Sequence, residues 1–83
     1  MMKTLTITLP EVERDIGAMQ KLSLGVAARG YKAQVFARIG KIEISEPSVN
    51  LPGHPTYCAI EDALSPGLIQ DIRNRGGTVV FSD

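Results

Sequence analysis

The sequence contains no tryptophan, one histidine, one cysteine and four aromatic rings among its 83 residues. A single cysteine, Cys58, excludes an intrachain disulfide and is typical of a reducing compartment, so we expect a cytoplasmic location. Four rings leave room for only a small platform on which nucleic-acid bases could stack. The scarce residue types therefore exclude a disulfide scaffold and disfavour an extended base-stacking surface.

An excess of charge of one sign is also missing. Nine lysine and arginine residues balance nine aspartate and glutamate residues. A domain that holds nucleic acid mainly through phosphate contacts usually carries an excess of basic residues, so the balance argues against a dedicated DNA-binding protein. No apolar run approaches the roughly 20 residues of a membrane-spanning helix. The length predicts a single domain, residues 1–83.

A third absence is that of a catalytic or metal-binding constellation. His54 and Cys58 are four residues apart, but zinc needs three or four ligands, and a cysteine nucleophile needs a positioned base. Glu61 and Asp62 are adjacent and would point to opposite faces of a strand. We therefore expect no enzymatic activity, no cofactor and no metal. An enzyme that uses His54 and Cys58 is the least favoured alternative.

The first third of the chain predicts a strand followed by a helix. Residues 4–9 alternate threonine with leucine or isoleucine, the period-two pattern of a half-buried strand. Pro10 ends the strand and suits the first position of a helix. Apolar residues then recur at helical spacing until Gly30 stops the helix. Gly17 and Gly25 lie inside this helix, where they either permit close packing or soften it.

The middle third returns to a period of two. Residues 31–39 alternate, and after Gly40 the apolar parity slips by one residue, as it does at a bulge or a tight turn. This pattern leaves open one bent strand or a two-strand hairpin. Residues 46–55 hold three prolines and predict a loop.

The last third predicts a strand, a helix and a strand. Residues 57–61 are interpreted as a strand, with a helix over residues 56–64 as the alternative. Ser65 caps a helix that the glycine pair at residues 76–77 stops. Residues 78–82 have the high β propensity of a final strand.

The predicted fold is a small α+β two-layer sandwich with the order β-α-β-β-α-β, or with one extra short strand. This order is typical of ferredoxin-like, split β-α-β topology. Both helices would cover one face of the sheet and leave the other face open. The residues predicted on the open face are Thr4, Thr6, Thr8, Lys32, Gln34, Phe36 and Arg38.

Phe36 is the most informative residue of this open face, because it is an aromatic ring among polar side chains. Exposed aromatic and basic side chains are typical of surfaces that bind a protein or single-stranded RNA. Alternatively, Phe36 covers a second small core or packs under the loop at residues 46–55. Arg73 and Arg75 either cap the second helix or contact a partner. The predicted partner-binding residues are Lys32, Gln34, Phe36, Arg38, Arg73 and Arg75.

These features favour a small non-enzymatic protein-interaction module, an inhibitor or adaptor of a larger protein. Chains of this size and kind are frequent among phage and mobile-element proteins, which suggests such an origin. The alternative function is weak RNA binding through the open face. If the last strand lies at a sheet edge, its unpaired backbone groups would allow a homodimer or the addition of a partner's strand.

The segment Leu-Ser-Pro-Gly-Leu-Ile-Gln-Asp-Ile-Arg, residues 64–73, resembles the closing strand-to-helix segment of the HicA-type toxins. These are small RNA-cleaving proteins with a double-stranded-RNA-binding-like fold. The pairs Gly30-Tyr31 and Gly40-Lys41 are similar to further short parts of that family's pattern. In the family a Gly-Ser-His triplet supplies the catalytic histidine, which has no counterpart after Gly40. The resemblance therefore implies an RNA-binding relative without nuclease activity.

Overall fold

A computed structural model describes residues 3–10 and 15–82 of the chain. Within these ranges the elements are β1 (Thr4–Thr8), α1 (Ile16–Ala28), β2 (Lys32–Phe36), β3 (Lys41–Ser45), α2 (Pro66–Asn74) and β4 (Thr78–Ser82). Two 3₁₀ turns, Ala37–Ile39 and Ile60–Asp62, lie between them. The predicted order β-α-β-β-α-β is confirmed. Neither of the two helices in the described ranges is long and apolar enough to cross a membrane.

The four strands form one antiparallel sheet in the order β2-β3-β1-β4. Strands β2 and β4 are its two edges. Since β1 and β2 are each antiparallel to β3, they run parallel to one another with β3 between them. In the centre of the sheet, Thr6 lies opposite Glu43 on one side and Val80 on the other. Gln34 continues the same cross-strand row on β2.

The core lies between the sheet and the two helices. Strands β1 and β3 alternate strictly, so Leu5, Ile7, Ile42 and Ile44 are completely buried. Residues from both helices, from the outer strand β4 and from the connecting segments pack on them. These other core residues are Met19, Val26, Tyr31, Ile60, Ala63, Leu64, Ile72 and Val79. Because both helices contribute to one cluster, they cover the same face of the sheet.

Helix α1 begins later than the sequence pattern predicts. Asp15 is its N-cap, with the Oδ1 atom accepting a hydrogen bond from the Gly17 N–H at 3.0 Å. The prediction that Pro10 opens the helix is therefore wrong, because the capping carboxylate fixes the first helical residue at Ile16. Residues 11–14 lie outside the described residues. The helix ends where predicted, before Gly30, whose φ is 100°.

The parity slip at Gly40 is a hairpin rather than one bent strand. β2 ends at Phe36, and the turn Ala37–Ile39 leads to Gly40 with a φ of 65°, a conformation that favours glycine. Phe36 and Lys41 then lie opposite one another. The placement of Arg38 on a strand is therefore wrong, because the chain has already turned there.

The strand predicted at residues 57–61 is wrong, and so is the alternative helix over residues 56–64. The chain reaches the turn Ile60–Asp62 without joining the sheet. Instead of a neighbouring strand, the Asn50 side chain binds the backbone of Cys58: Oδ1 accepts from its N–H at 2.9 Å, and Nδ2 donates to its carbonyl at 2.8 Å. A side-chain amide thus satisfies the groups that a sheet would have paired.

Candidate functional site

The face of the sheet opposite the helices is the surface on which the sequence placed the partner-binding site. Strand alternation and register assign three side chains of each strand to it. They are Thr4, Thr6 and Thr8, Lys32, Gln34 and Phe36, Lys41, Glu43 and Ser45, and Thr78, Val80 and Ser82. We call this set the open face. Hydroxyl groups dominate it, and its aromatic ring lies at one corner, on edge strand β2.

Phe36 is exposed to 37% of its full area. Its cross-strand neighbour Lys41 holds the Nζ atom 5.6 Å from the ring centroid, within the range of a cation–π contact. The same Nζ atom lies 3.2 Å from Glu43 Oε1, so a carboxylate balances the cation beside the ring. The ring therefore offers an exposed apolar surface beside the Lys41–Glu43 ion pair, whose two charges balance, instead of filling a second core.

The β2 row, defined as Lys32, Gln34 and Phe36, runs along the edge of the open face. At the strand rise of about 3.3 Å per residue, its two ends lie about 13 Å apart. Lys32 donates a hydrogen bond from Nζ to Ser48 Oγ. This bond connects the start of the row to the loop that follows β3. Gln34 is exposed in the middle. The row thus presents a cation, an amide and a ring in line.

Arg38 lies close in sequence to this row but not on it. It occupies the exposed turn Ala37–Ile39, directly after Phe36. Ile39 in the same turn is also exposed. The turn that adjoins the corner of the open face therefore carries an exposed basic and an exposed aliphatic residue within three positions of Phe36.

Arg73 and Arg75 are not brought together with the β2 row. They belong to the end of α2, on the other face of the sheet and nearer the opposite edge. Arg73 Nη2 donates to the carbonyl of Val79 at 3.3 Å. Arg75 Nε lies 3.3 Å from Asp71 Oδ2, one helical turn earlier. Both residues thus have a structural role, and their contact with a partner stays a prediction.

The two residues considered for metal or nucleophilic chemistry are engaged locally. His54 is exposed, and its Nδ1 accepts from the Thr56 N–H at 3.2 Å. The Sγ atom of Cys58 lies 3.4 Å from the carbonyl oxygen of Thr56 and 3.6 Å from that of Arg29. Among the described residues, no group of three or more histidine, cysteine, aspartate or glutamate residues could hold a metal ion.

Glu61 is a surface counter-ion. Its own backbone N–H and the Lys3 ammonium group lower the pKa of the carboxyl below its ordinary value. The Lys3 Nζ atom lies 3.0 Å from its Oε1 atom. The carboxylate therefore stays charged near neutral pH, which suits the attachment of β1 to the turn at residues 60–62 and does not suit a general acid.

An apolar groove between the two helices was not predicted. Its volume is about 530 Å³. Met19, Leu22 and Val26 line the α1 side, and Leu68 and Ile72 line the α2 side. The sequence shows part of this groove, because its lining residues belong to the apolar stripes that predict the two helices. What the stripes could not show is that a groove remains between the two helices, with Leu22 and Leu68 only partly buried beside it.

No family model, no curated protein and no solved structure matches this chain.

Proposed function

We propose that this chain is a non-enzymatic protein-interaction module that inhibits or bridges a larger protein. The exposed ring of Phe36 at the corner of the open face carries this proposal. The binding surface consists of the β2 row together with Arg38 in the adjoining turn. A cytoplasmic location belongs to the same proposal and is supported by the single, unpaired thiol of Cys58.

The chemistry of the corner favours a protein over RNA. Aromatic and arginine side chains supply most of the binding energy in protein interfaces. RNA binding through phosphates would need basic charge to accumulate, whereas Glu43 balances Lys41 on the open face. One ring on that face would also stack only one base. A protein surface with an apolar pocket and an acidic rim matches Phe36 and Arg38 better.

We further infer that the topology is the ferredoxin-like, split β-α-β arrangement. The parallel course of β1 and β2 on either side of β3 supports it, as does the element order. This arrangement leaves one sheet face without helices, which is the condition that the proposed function needs.

The test is capture of a partner by the tagged chain from a lysate of the source organism, with and without nuclease and over a range of salt concentrations. We expect one stoichiometric protein that survives nuclease treatment and high salt. The double variant Phe36→Ala with Arg38→Glu should lose it. The matched control is Leu24→Ala with Lys21→Glu, which also truncates one large apolar side chain and reverses one positive charge, but on exposed residues of α1. It should retain the partner.

Two outcomes contradict the proposal. Retention of the captured protein by the Phe36 and Arg38 double variant would remove this corner as the binding surface. A signal that disappears with nuclease and weakens steeply as salt rises would indicate RNA binding instead. Circular dichroism of both double variants shows whether the fold is unchanged.

A further inference from the structure

The backbone groups of edge strand β4 have directions that follow from one hydrogen bond made by Leu9, the residue directly after β1. The Leu9 N–H donates to the Gly40 carbonyl at 2.8 Å, on the side of β3. Successive residues of a strand point their N–H and C=O groups to opposite sides. The backbone N–H and C=O groups of the β1 threonines therefore point towards β4. Their partners there are the backbone groups of Thr78, Val80 and Ser82. The remaining two residues, Val79 and Phe81, point their backbone groups outward.

The outer side of β4 has little of the protection that sheet edges usually carry. Edges are commonly blunted by charged residues, proline or bulges, whereas Thr78–Ser82 has no charge, no proline and an unbroken register with β1. The guanidinium of Arg73 binds the outward carbonyl of Val79. Since a carbonyl oxygen has two lone pairs, this bond leaves room for a second donor.

The edge is complementary to itself. The two residues with outward-pointing backbone groups, Val79 and Phe81, flank Val80. A two-fold axis that is perpendicular to the sheet and passes between the Val80 residues of two copies therefore places Val79 of one copy opposite Phe81 of the other. Each such pair exchanges two backbone hydrogen bonds, and the axis creates two pairs. Hydroxyl residues then meet at both ends, Thr78 opposite Ser82, and no like charges face one another.

The side chains at this edge are those that a second copy would cover. Val80, on the open face, is 54% exposed, and Phe81, on the helix face, is 42% exposed. Across the axis Val80 meets Val80, and the Phe81 ring lies beside Val79 of the second copy. Pairs of an aromatic and a β-branched side chain are favourable neighbours on adjacent strands.

We propose that two copies of this chain associate through β4, antiparallel and centred on Val80, to form one continuous eight-stranded sheet. The occupant of the edge is a second copy rather than an unrelated strand, because in this register every apolar residue of β4 meets an apolar residue and every hydroxyl residue meets a hydroxyl residue. The proposal concerns a different surface from the β2 row and does not depend on the function proposed for that row.

Charge placed at the axis tests the register. Val80→Lys and Val80→Glu each put two like charges directly opposite one another, so each variant alone should raise the dimer dissociation constant at least about tenfold. An equimolar mixture should form a heterodimer, because the charges then attract. The matched controls, Gln34→Lys and Gln34→Glu, change the opposite edge on the same face and should associate as the unmodified chain does.

Sedimentation velocity from about 5 µM to about 1 mM covers the weak affinities of small interfaces. A chain that is monomeric over this whole range overturns the proposal. Association that the Gln34 variants abolish, or that mixing the two Val80 variants does not restore, overturns it equally, because the contact then lies elsewhere or has another register.

Hydrogen exchange on the unmodified chain tests the same register without any substitution. Protection of the Val79 and Phe81 amides should rise with protein concentration. The outward amides of the other edge, Ala33 and Val35, should exchange at a rate independent of concentration. Protection that rises at Ala33 and Val35 instead would assign the contact to β2 and contradict the proposal.

Discussion

Gly77 shows how a single residue fixes the distance between three elements. A Cβ atom at this position would lie 2.8 Å from Ile72 Cγ2, 3.0 Å from the Ile72 carbonyl oxygen and 3.1 Å from the Thr8 carbonyl oxygen. Two of these neighbours are backbone atoms, so they cannot rotate away. Gly77 therefore allows α2 and β1 to approach the start of β4. Gly25 in α1 differs, because a Cβ atom there would have no neighbour within 4 Å.

This contrast gives a stability prediction. Gly77→Ala should lower the free energy of unfolding by about 1–3 kcal/mol, because the added methyl group overpacks against backbone. Gly25→Ala should raise it by about 1 kcal/mol, because alanine favours the helix and meets no obstacle. Urea unfolding measures both. A Gly77→Ala variant as stable as the unmodified chain would show that α2 is free to move.

At the scale of elements, a side chain organises the loop between β3 and α2. Asn50 binds both backbone groups of Cys58, and its Nδ2 atom also donates to Glu46 Oε2 at 3.1 Å. These bonds draw the two halves of the loop together, so that Ile60 enters the core. The Tyr31 hydroxyl donates to the Ala59 carbonyl at 2.7 Å and fixes the same segment from the end of α1.

Removal of the Asn50 amide should loosen the loop more than it unfolds the domain. Asn50→Ala leaves the partly buried N–H and carbonyl of Cys58 without their partner, which should cost about 1–3 kcal/mol. Proteolysis within residues 46–59 should become faster. The control is Asn74→Ala, whose amide bonds only the exposed Gln70 side chain. If both variants are cleaved at the rate of the unmodified chain, Asn50 does not hold the loop.

The elements that could be predicted from the sequence are those whose signals are local. The alternation of residues 4–9, the cap at Ser65 and the β-rich run at residues 78–82 each depend on neighbours along the chain. Residues 57–61 were wrongly predicted as a strand because their partners are distant. An asparagine eight residues earlier and a core contact of Ile60 decide their conformation, and neither leaves a periodic pattern.

At the scale of the whole molecule, parity alone predicts the open-face positions of β1 and the β2 row, whereas those of β3 and β4 follow from the strand register. Arg38 could not be placed, because the alternation that parity reasoning assumes ends at Phe36, where the 3₁₀ turn Ala37–Ile39 begins. The separation of Arg73 and Arg75 from the row depends on strand order, which no local pattern contains.

In the dimer that we propose, the two β2 rows lie at the outer edges of the eight-stranded sheet. They are seven strand spacings, or about 34 Å, apart, which would suit a partner with two equivalent sites.

Alkaline pH tests how the parts of the molecule hold together, because Tyr31 joins α1, β2 and the loop. Burial raises the pKa of its phenol above the ordinary value of 10.0, and the charge of Cys58 acts in the same direction. The folded state therefore prefers the neutral phenol. Its stabilising contribution is complete below about pH 10 and is lost as the pH rises through the raised pKa.

Tyr31→Phe should accordingly be about 1 kcal/mol less stable at neutral pH, because the hydrogen bond to Ala59 is lost. It should also lose less stability than the unmodified chain between about pH 9 and pH 11. Urea unfolding over this range measures the difference in slope. Tyr57→Phe, which removes the exposed phenol, is the matched control and should keep the slope of the unmodified chain. Equal slopes for the Tyr31 variant and the unmodified chain would mean that the phenol of Tyr31 does not couple folding to pH.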